Sequence, residues 1–427
     1  MSRAQGARAQ LALAFESAYG TPPAADSYWQ MPFAASGLGS EQPLLASDLL
    51  GFGRDPRAPV LDAITAGGDL RIPFDQRYLG IWLKSVFGEP DSSDPVAATG
   101  TITFSGQPGA GSEITINGIP FAFVASSPGS DEIEIGATLP DTLDNIIAEL
   151  NTSVHTEVDD ATYTEDGTDA LTITHDTAGP AGNAFTLAAA AASNGTVSAS
   201  TLRGGGYLHE FHSGLWTLPS FSVETGMPDV PDFAMVSGCV TDSLALEMNR
   251  SGLVRGTVNV VAQGEAAPAA ASAAGTLTEL LLAEFGPFHG EIRRDGSQLA
   301  NVTRGSWTYA NNLQRIETIR SDGLIDGADP SIASDTGQIQ VLFADQTLLD
   351  QARDGEPCEL QFNYVNPLGP YLKKIVHEVY LPRPQRRLEG PQGVTVTFDW
   401  QAAKNAGAGR MTTVQLLNDV ADYDNPS

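Results

Sequence analysis

The chain has 427 residues, 52 Asp and Glu against 23 Lys and Arg, and a formal net charge of −29. That length exceeds one ordinary core and predicts two or three domains, while the charge, with four lysines in the whole chain, excludes a groove that holds nucleic acid by counterion release. Cys239 and Cys358 form no close-spaced pair, which argues against a disulfide framework. No stretch approaches the ~18 apolar residues of a membrane span, and MSRAQGARAQLALAF lacks the pattern of a secretion signal, so a cytoplasmic origin without membrane insertion is expected.

In chain order, the first informative feature is residues 47–59, SDLLGFGRDPRAP, rich in turn formers. It aligns without a gap on residues 321–333, SDGLIDGADPSIA, with identities at Ser47/Ser321, Asp48/Asp322, Leu50/Leu324, Gly53/Gly327, Asp55/Asp329 and Pro56/Pro330. Those six identities compare with about one expected from ordinary composition, which points to an internal repeat. Downstream, GDLRIPFDQRYLGIWLKSVFGEP (68–90) and GQIQVLFADQTLLDQARDGEP (337–357) share one plan of strand, short helix and Gly-Glu-Pro. Leu70, Ile72 and Phe74 fall on one strand face, as do Ile339, Val341 and Phe343. Tyr78, Leu79, Ile81 and Trp82 follow at helical spacing, and a glycine with proline beyond it stops both helices.

After the second Gly-Glu-Pro the chain enters the strand CELQFNYV at once, whereas after the first more than a hundred residues precede the comparable YLHEFHSG at 207. An insertion at 91–206 accounts for this, leaving 1–90 with 207–264 as a first copy and 276–427 as a second. The insert predicts a compact α+β domain. Its strands are GTITF and EITINGIPFAFV, the latter folded at an Asn117-Gly118 hairpin turn; its helix DTLDNIIAELN carries Leu143, Ile146, Ile147 and Leu150 on one face; and LTITHDTAGPAGNAFTLAA supplies two more strands. Fourteen Asp and Glu between 98 and 205 against Arg203 alone assign it a solvated exterior. EAAPAAASAAG (265–275) is an Ala/Pro linker. Each copy ends in strong alternation, with Leu244, Leu246, Met248, Val254, Val258 and Val260 in the first and Val394, Val396, Phe398 and Trp400 in the second, as in half-buried antiparallel strands.

The chemical motifs are weak. GFGRDPRAP has neither a Walker lysine nor GxGxxG spacing, and its repeat partner has Ala328 where Arg54 stands, so turn chemistry explains it better than phosphate binding. His209 and His212 of HEFH point to opposite faces of a strand, residues 166–169 and 326–329 lack the spaced oxygen ligands of a calcium loop, and the six histidines are scattered. Neither a catalytic constellation nor a cofactor or metal site is expected; a glycan hydrolase would need paired carboxylates in a cleft.

Several separated stretches carry a family likeness: LALAFESAYGTPP (11–23), SEQPLLASDLLGFGRDPRAP, NRSGLVRGTVNVVAQGE (249–265), NVTRGSWTYANNLQRIETIRSDGLIDGADPS and LFADQTLLDQA. Together they resemble the tail tube proteins of long-tailed phages over nearly all of 1–90 and 207–427, and 98–205 looks like a decoration-like module inserted in other phage tail proteins. The resemblance implies two fused copies of a tail-tube β-sandwich with a flanking helix, trimeric rings of pseudo-sixfold symmetry, and stacking into a hollow tube for DNA. It implies a virion tail protein assembled in the host cytoplasm, with tape-measure, tail-tip and tail-terminator proteins as further partners and no enzymatic activity. The family's inter-ring loop maps to Asp48, Leu50, Phe52, Gly53, Arg54, Asp55 and Pro56, with Asp322, Leu324, Gly327, Asp329 and Pro330 in the second copy. Glu247, Arg255, Thr257, Asn259, Thr395, Thr397 and Asp399, polar positions between apolar ones, are candidates for the lumen face, where net negative charge is expected to repel DNA. The competing reading is a phage or bacterial adhesin that binds carbohydrate through the insert.

Overall fold

The computed structural model describes residues 3–50, 53–92, 95–342, 347–384 and 394–426. In chain order the body comprises β1 (Gln10–Phe15), β2 (Tyr28–Gln30), β3 (Leu44–Leu45), β4 (Val60–Leu61), β5 (Thr65–Pro73), α1 (Tyr78–Phe87), β6 (Tyr207–His212), β7 (Phe221–Met227), β8 (Asp232–Asn249) and β9 (Arg255–Ala262). It continues with β10 (Gly290–Arg294), β11 (Val302–Ala310), β12 (Gln314–Ile316), β13 (Gly327–Asp329) and β14 (Ser334–Leu342). A helix labelled α3 (Thr347–Asp354), then β15 (Cys358–Val365), β16 (Tyr371–Tyr380), β17 (Thr395–Ala402) and β18 (Thr412–Asn418) complete it, and α2 (Leu139–Asn151) lies in the insert.

Antiparallel pairing runs β1–β7–β8–β9–β5 in the N-terminal part and β10–β15–β16–β17–β14 in the C-terminal part. Each path is followed by a helix after its β5 or β14 member, and each helix stops at a glycine in positive φ, Gly88 (+92°) and Gly355 (+73°), whose N–H caps the last turn. The strand in the position of β15 is β7. Tyr207–His212, expected from sequence to take that place, instead pairs with the C-terminal strand β18.

The 18-residue β8 belongs to two sheets. Its first half pairs with β7 and its second with β9 and β11. The change of direction falls at Gly238, φ +62°, where a Cβ would stand 2.6 Å from Cβ of Gln263 and 3.0 Å from the Tyr19 ring; only glycine fits this bulged, left-handed position. Beyond it, β8 and β11 run in register from Ser243↔Ala310 to Asn249↔Arg304, joining the two parts into one sheet ordered β5–β9–β8–β11–β14–β17.

One hydrophobic core serves both parts. Leu70, Ile72, Val258, Val260, Leu244 and Leu246 share it with Trp307, Tyr309, Ile339, Val341, Phe398 and Trp400, so the predicted apolar alternation is the buried side of this sheet; Phe343 lies outside the described residues. All ten residues of α1 are buried, and its ends are tied to the C-terminal part. Asp75 accepts Arg77 N–H (2.8 Å) and Tyr78 N–H (3.0 Å) with one carboxylate oxygen and Ala283 N–H with the other. At the far end Asn311 donates to Val86 O (2.9 Å) and Thr241 O (3.0 Å).

The insert has its own core of Ile102, Phe104, Ile114, Phe121, Phe123, Leu143, Ile146, Leu150 and Ile173, built from two four-stranded sheets and α2. Asn117 and Gly118, both in positive φ, make the expected tight turn, and a Thr138–Asp141 capping box starts α2. The Ala/Pro stretch is not a free tether. Glu224, 4% exposed, accepts Ser272 Oγ (2.5 Å), Ala273 N–H (2.7 Å) and Ala274 N–H (3.3 Å), and Ala269 pairs with Phe233. Backbone hydrogen bonds, invisible in a composition of methyl side chains, hold it down.

Two polar devices lock the C-terminal strands. Asp335 of β14 and Lys374 of β16, both 0% exposed, form an ion pair under the rings of Trp307 and Trp400, with Thr412 Oγ1 donating to the same carboxylate (2.7 Å). Burial pushes the Asp335 carboxyl up and the Lys374 ammonium down, each opposed by its partner. His209 of β6, also 0% exposed, bonds Val420 O through Nε2 (2.8 Å) and Ser92 Oγ through Nδ1 (3.0 Å), a pairing that the neutral ring satisfies by donating at Nε2 and accepting at Nδ1.

Asp335→Ala leaves Lys374 buried without a counter-charge and is expected to lower stability by about 3–5 kcal/mol, whereas the apolar pair Asp335→Leu/Lys374→Met recovers most of it; urea unfolding of the three proteins checks this. Burial holds the His209 pKa below its ordinary 6.5, so its contribution is whole above that value and is lost as pH falls through it. Thermal unfolding at pH 7.5 and 5.5 therefore shows an acid loss that is smaller in His209→Gln.

Candidate assembly surface

The seven lumen-face candidates come together on one surface. Opposed residues of an antiparallel pair share a face, so the register places Asp69, Asn259 and Ser243 in one row, and Arg71, Thr257, Ala245, Thr308, Thr336 and Gln401 in the next. A third row runs Glu247, Ser306, Gln338 and Asp399, flanked by Arg255 on β9; a fourth runs Asn249, Arg304, Gln340 and Thr397, with Thr395 beyond on β17. This is the side of the six-stranded sheet opposite the core. Its polar groups engage one another: Arg304–Glu247 at 2.7 Å, Arg255–Glu284 at 3.2 Å, Asn259 Nδ2 to Asp69 at 2.7 Å and Gln338 Nε2 to Asp399 at 2.7 Å.

The sheet ends on strands paired on one side. Among the described residues, Thr395–Trp400 of β17 pair only with β14, and at the other end residues 35–36 and 39–41 pair only with β5. Such edges present main-chain donors and acceptors to any further strand.

The loop candidates divide. Asp48, Leu50, Gly53, Arg54, Asp55 and Pro56 are exposed at the tip of the β3–β4 hairpin, where Gly53 has φ +101°; Phe52 lies outside the described residues. The second-copy residues are instead folded onto the body. Asp322 pairs with Arg320 (2.8 Å), which also holds Asp326 (2.7 Å) and keeps the Asp322 pKa down at about 2. Leu324 packs over Gly264, Gly327 and Asp329 sit on β13 opposite Ile316 and Gln314, and Pro330 is half-buried beyond them. The repeated thirteen residues thus form the tip of one hairpin, but the tip and returning strand of the other.

Sequence reasoning missed the apolar character of the first hairpin. Leu44, Leu45, Leu49, Leu50, Val60 and Leu61 are all exposed, Leu50 at 92%, and the adjacent Leu44-Leu45 and Val60-Leu61 pairs, which no two-residue alternation can bury on one face, were the available signal. Six exposed apolar side chains on one hairpin depart from the scattered single exposures usual on a soluble surface. The hairpin leaves the same end of the sheet as the start of β5. Near the opposite end lies a groove of about 500 Å³ lined by Met248, Arg250, Phe288, Leu299, Arg304 and Tyr364 among others, with Phe288 81% exposed.

Among the described residues, three or more His, Cys, Asp or Glu are nowhere placed to hold a metal ion, and none of the helices is long and apolar enough to cross a membrane. A family model described as phage tail tube protein matches residues 6–402. None of the curated proteins matches the chain.

Because the six hairpin side chains touch solvent, Leu44→Ser/Leu61→Ser is expected to leave the unfolding temperature of the isolated subunit within about 2 °C of the parent, a surface change of under about 0.5 kcal/mol. Calorimetry at dilute concentration measures it.

Proposed function

The chain belongs to the phage tail tube proteins, and on that premise we propose that it closes into rings through its open sheet edges and stacks by the β3–β4 hairpin into a conduit for DNA. The observation that carries this reading is the β8–β11 seam. Inside one chain a strand of the first part is hydrogen-bonded to a strand of the second, so the sheet passes through the junction without a break and, among the described residues, ends at β17 and at residues 35–41. Joining β17 of one subunit to that edge of the next carries the sheet on from molecule to molecule, and closure removes both edges.

The matching pairing paths and paired helices support an internal duplication, in which each chain supplies two pseudo-equivalent units and three chains supply six. Three six-stranded sheets reach the size at which a barrel encloses a water-filled channel. The polar face then lines that channel and the core face packs outward against α1. The first-copy hairpin reaches the neighbouring ring, while 321–330, folded down, buttresses its base, where Ile64 N–H bonds Gly323 O (3.0 Å). The insert, tethered at Gly206↔Val96 and by Arg203 to Pro367 O (2.6 Å), decorates the exterior. Tape-measure, tail-tip and tail-terminator proteins are the further partners, and assembly takes place in the host cytoplasm. The adhesin reading draws less support. Phe104, Phe121, Phe123, Tyr163 and Phe185, the aromatic side chains a sugar platform would use, are at most 3% exposed.

Negative-stain microscopy of concentrated protein is expected to show rings or tubes; particles that stay monomeric at every concentration and with tail-tip complexes added would overturn the proposal. In Leu44→Ser/Leu61→Ser, tube length is expected to collapse at least tenfold while rings persist, because stacking loses its apolar contact and closure does not.

A further inference from the structure

The acidity of the whole chain predicts a wall that repels DNA, but the distribution of charge on the sheet is different. In-register positions on the polar face of β5, β9, β8, β11, β14 and β17 hold three carboxylates, Asp69, Glu247 and Asp399, and three guanidiniums, Arg71, Arg255 and Arg304. The chain as a whole has more than two acids per base. The insert alone, with fourteen acids and one arginine between 98 and 205, accounts for 13 of the 29 net negative charges. Most other positions on the face are Ser, Thr, Asn or Gln.

We propose that this face is a nearly self-neutralised track, whose arginines are each held against a carboxylate or beside one so that a passing polyanion meets hydrogen-bonding groups and little net charge. The proposal rests on the reading that the face lines the channel. Charges act over a Debye length of about 10 Å or less, so a phosphate near this sheet responds to the face and hardly to the insert. Free arginines would capture it with release of counterions. A purely acidic wall would carry its own cation layer and raise the barrier to entry. Pairing avoids both: Glu247 occupies Arg304, Glu284 occupies Arg255, and Arg71 lies two positions from Asp69 along β5, on the same side. Exposed pairs of this kind contribute little to stability, so stability alone gives weak reason for placing arginines here at all, whereas charge cancellation gives a direct one.

The test is the near-isosteric variant Asp69→Asn/Glu247→Gln/Asp399→Asn, which leaves Arg71 and Arg304 uncompensated while Arg255 keeps Glu284. Its control, Glu134→Gln/Asp144→Asn/Asp159→Asn, makes the same charge change at exposed positions of the insert. Unfolding temperatures of both confirm that they are folded. Unassembled wild-type and control subunits are expected not to bind a fluorescent 20-base-pair duplex at 50 mM salt. The face variant is expected to bind it, with affinity falling about 12-fold between 50 and 200 mM salt, the slope for two phosphate contacts. Binding by wild type, or equal binding by variant and control, overturns the neutral track. Assembled tubes separate this from the orientation of the face. Closed circular duplex cannot thread a channel, so its binding along variant tubes would put the face outside and overturn the channel reading, whereas retention of short linear duplex alone is the expected result.

Discussion

The hydrogen-bonded seam between β8 and β11 is the constraint on which the other features depend. Because it is a main-chain ladder, it fixes register as well as contact. One residue of slip would turn Leu244, Leu246, Trp307 and Tyr309 out of the core and bring Glu247 and Ser306 in. The two parts of the chain therefore cannot reorient independently, and a single core forms behind the sheet where two were to be expected from a repeated sequence.

Helix α1 completes that arrangement from behind. A fully buried helix needs its end groups satisfied, and here partners come from across the molecule: Asp75 reaches Ala283, Asn311 reaches Val86, and Lys84 meets Asp424 (2.9 Å) as well as the adjacent Glu89 (3.0 Å). Glycine supplies the remaining closeness. A Cβ on Gly80 would stand 1.9 Å from Tyr423 Cζ, so the C-terminal segment can lie flat on the helix only because position 80 has no side chain. Two regions lie outside this core, an acidic insert with its own and a hairpin with six exposed apolar side chains.

On the proposal that the polar face lines a channel, its composition acquires a physical meaning. The same alternation that buries one side of each strand leaves the other side free to be selected for what it touches. Small hydroxyl and amide side chains, with Glu247 held by Arg304, Asp69 by Asn259 and Asp399 by Gln338, give this face a charge balance that net charge read from the whole chain does not describe.

Local pattern was enough for several features. Period-two apolar residues gave β5, β9, β14 and β17 their buried faces, the Asn117-Gly118 dipeptide gave its turn, and the glycines of both Gly-Glu-Pro motifs gave the helix ends, because each is decided by the conformational preferences of a few adjacent residues. Tertiary structure alone decided what depends on distant partners: that β6 pairs with β18, that the Ala/Pro stretch is held by Glu224, that one aligned segment stands free while its counterpart folds down, and that the seven scattered polar candidates share one face. Register across a sheet is a relation between strands far apart in the chain, and no residue carries it by itself; only the packed core, which tolerates one register and penalises the rest, selects it.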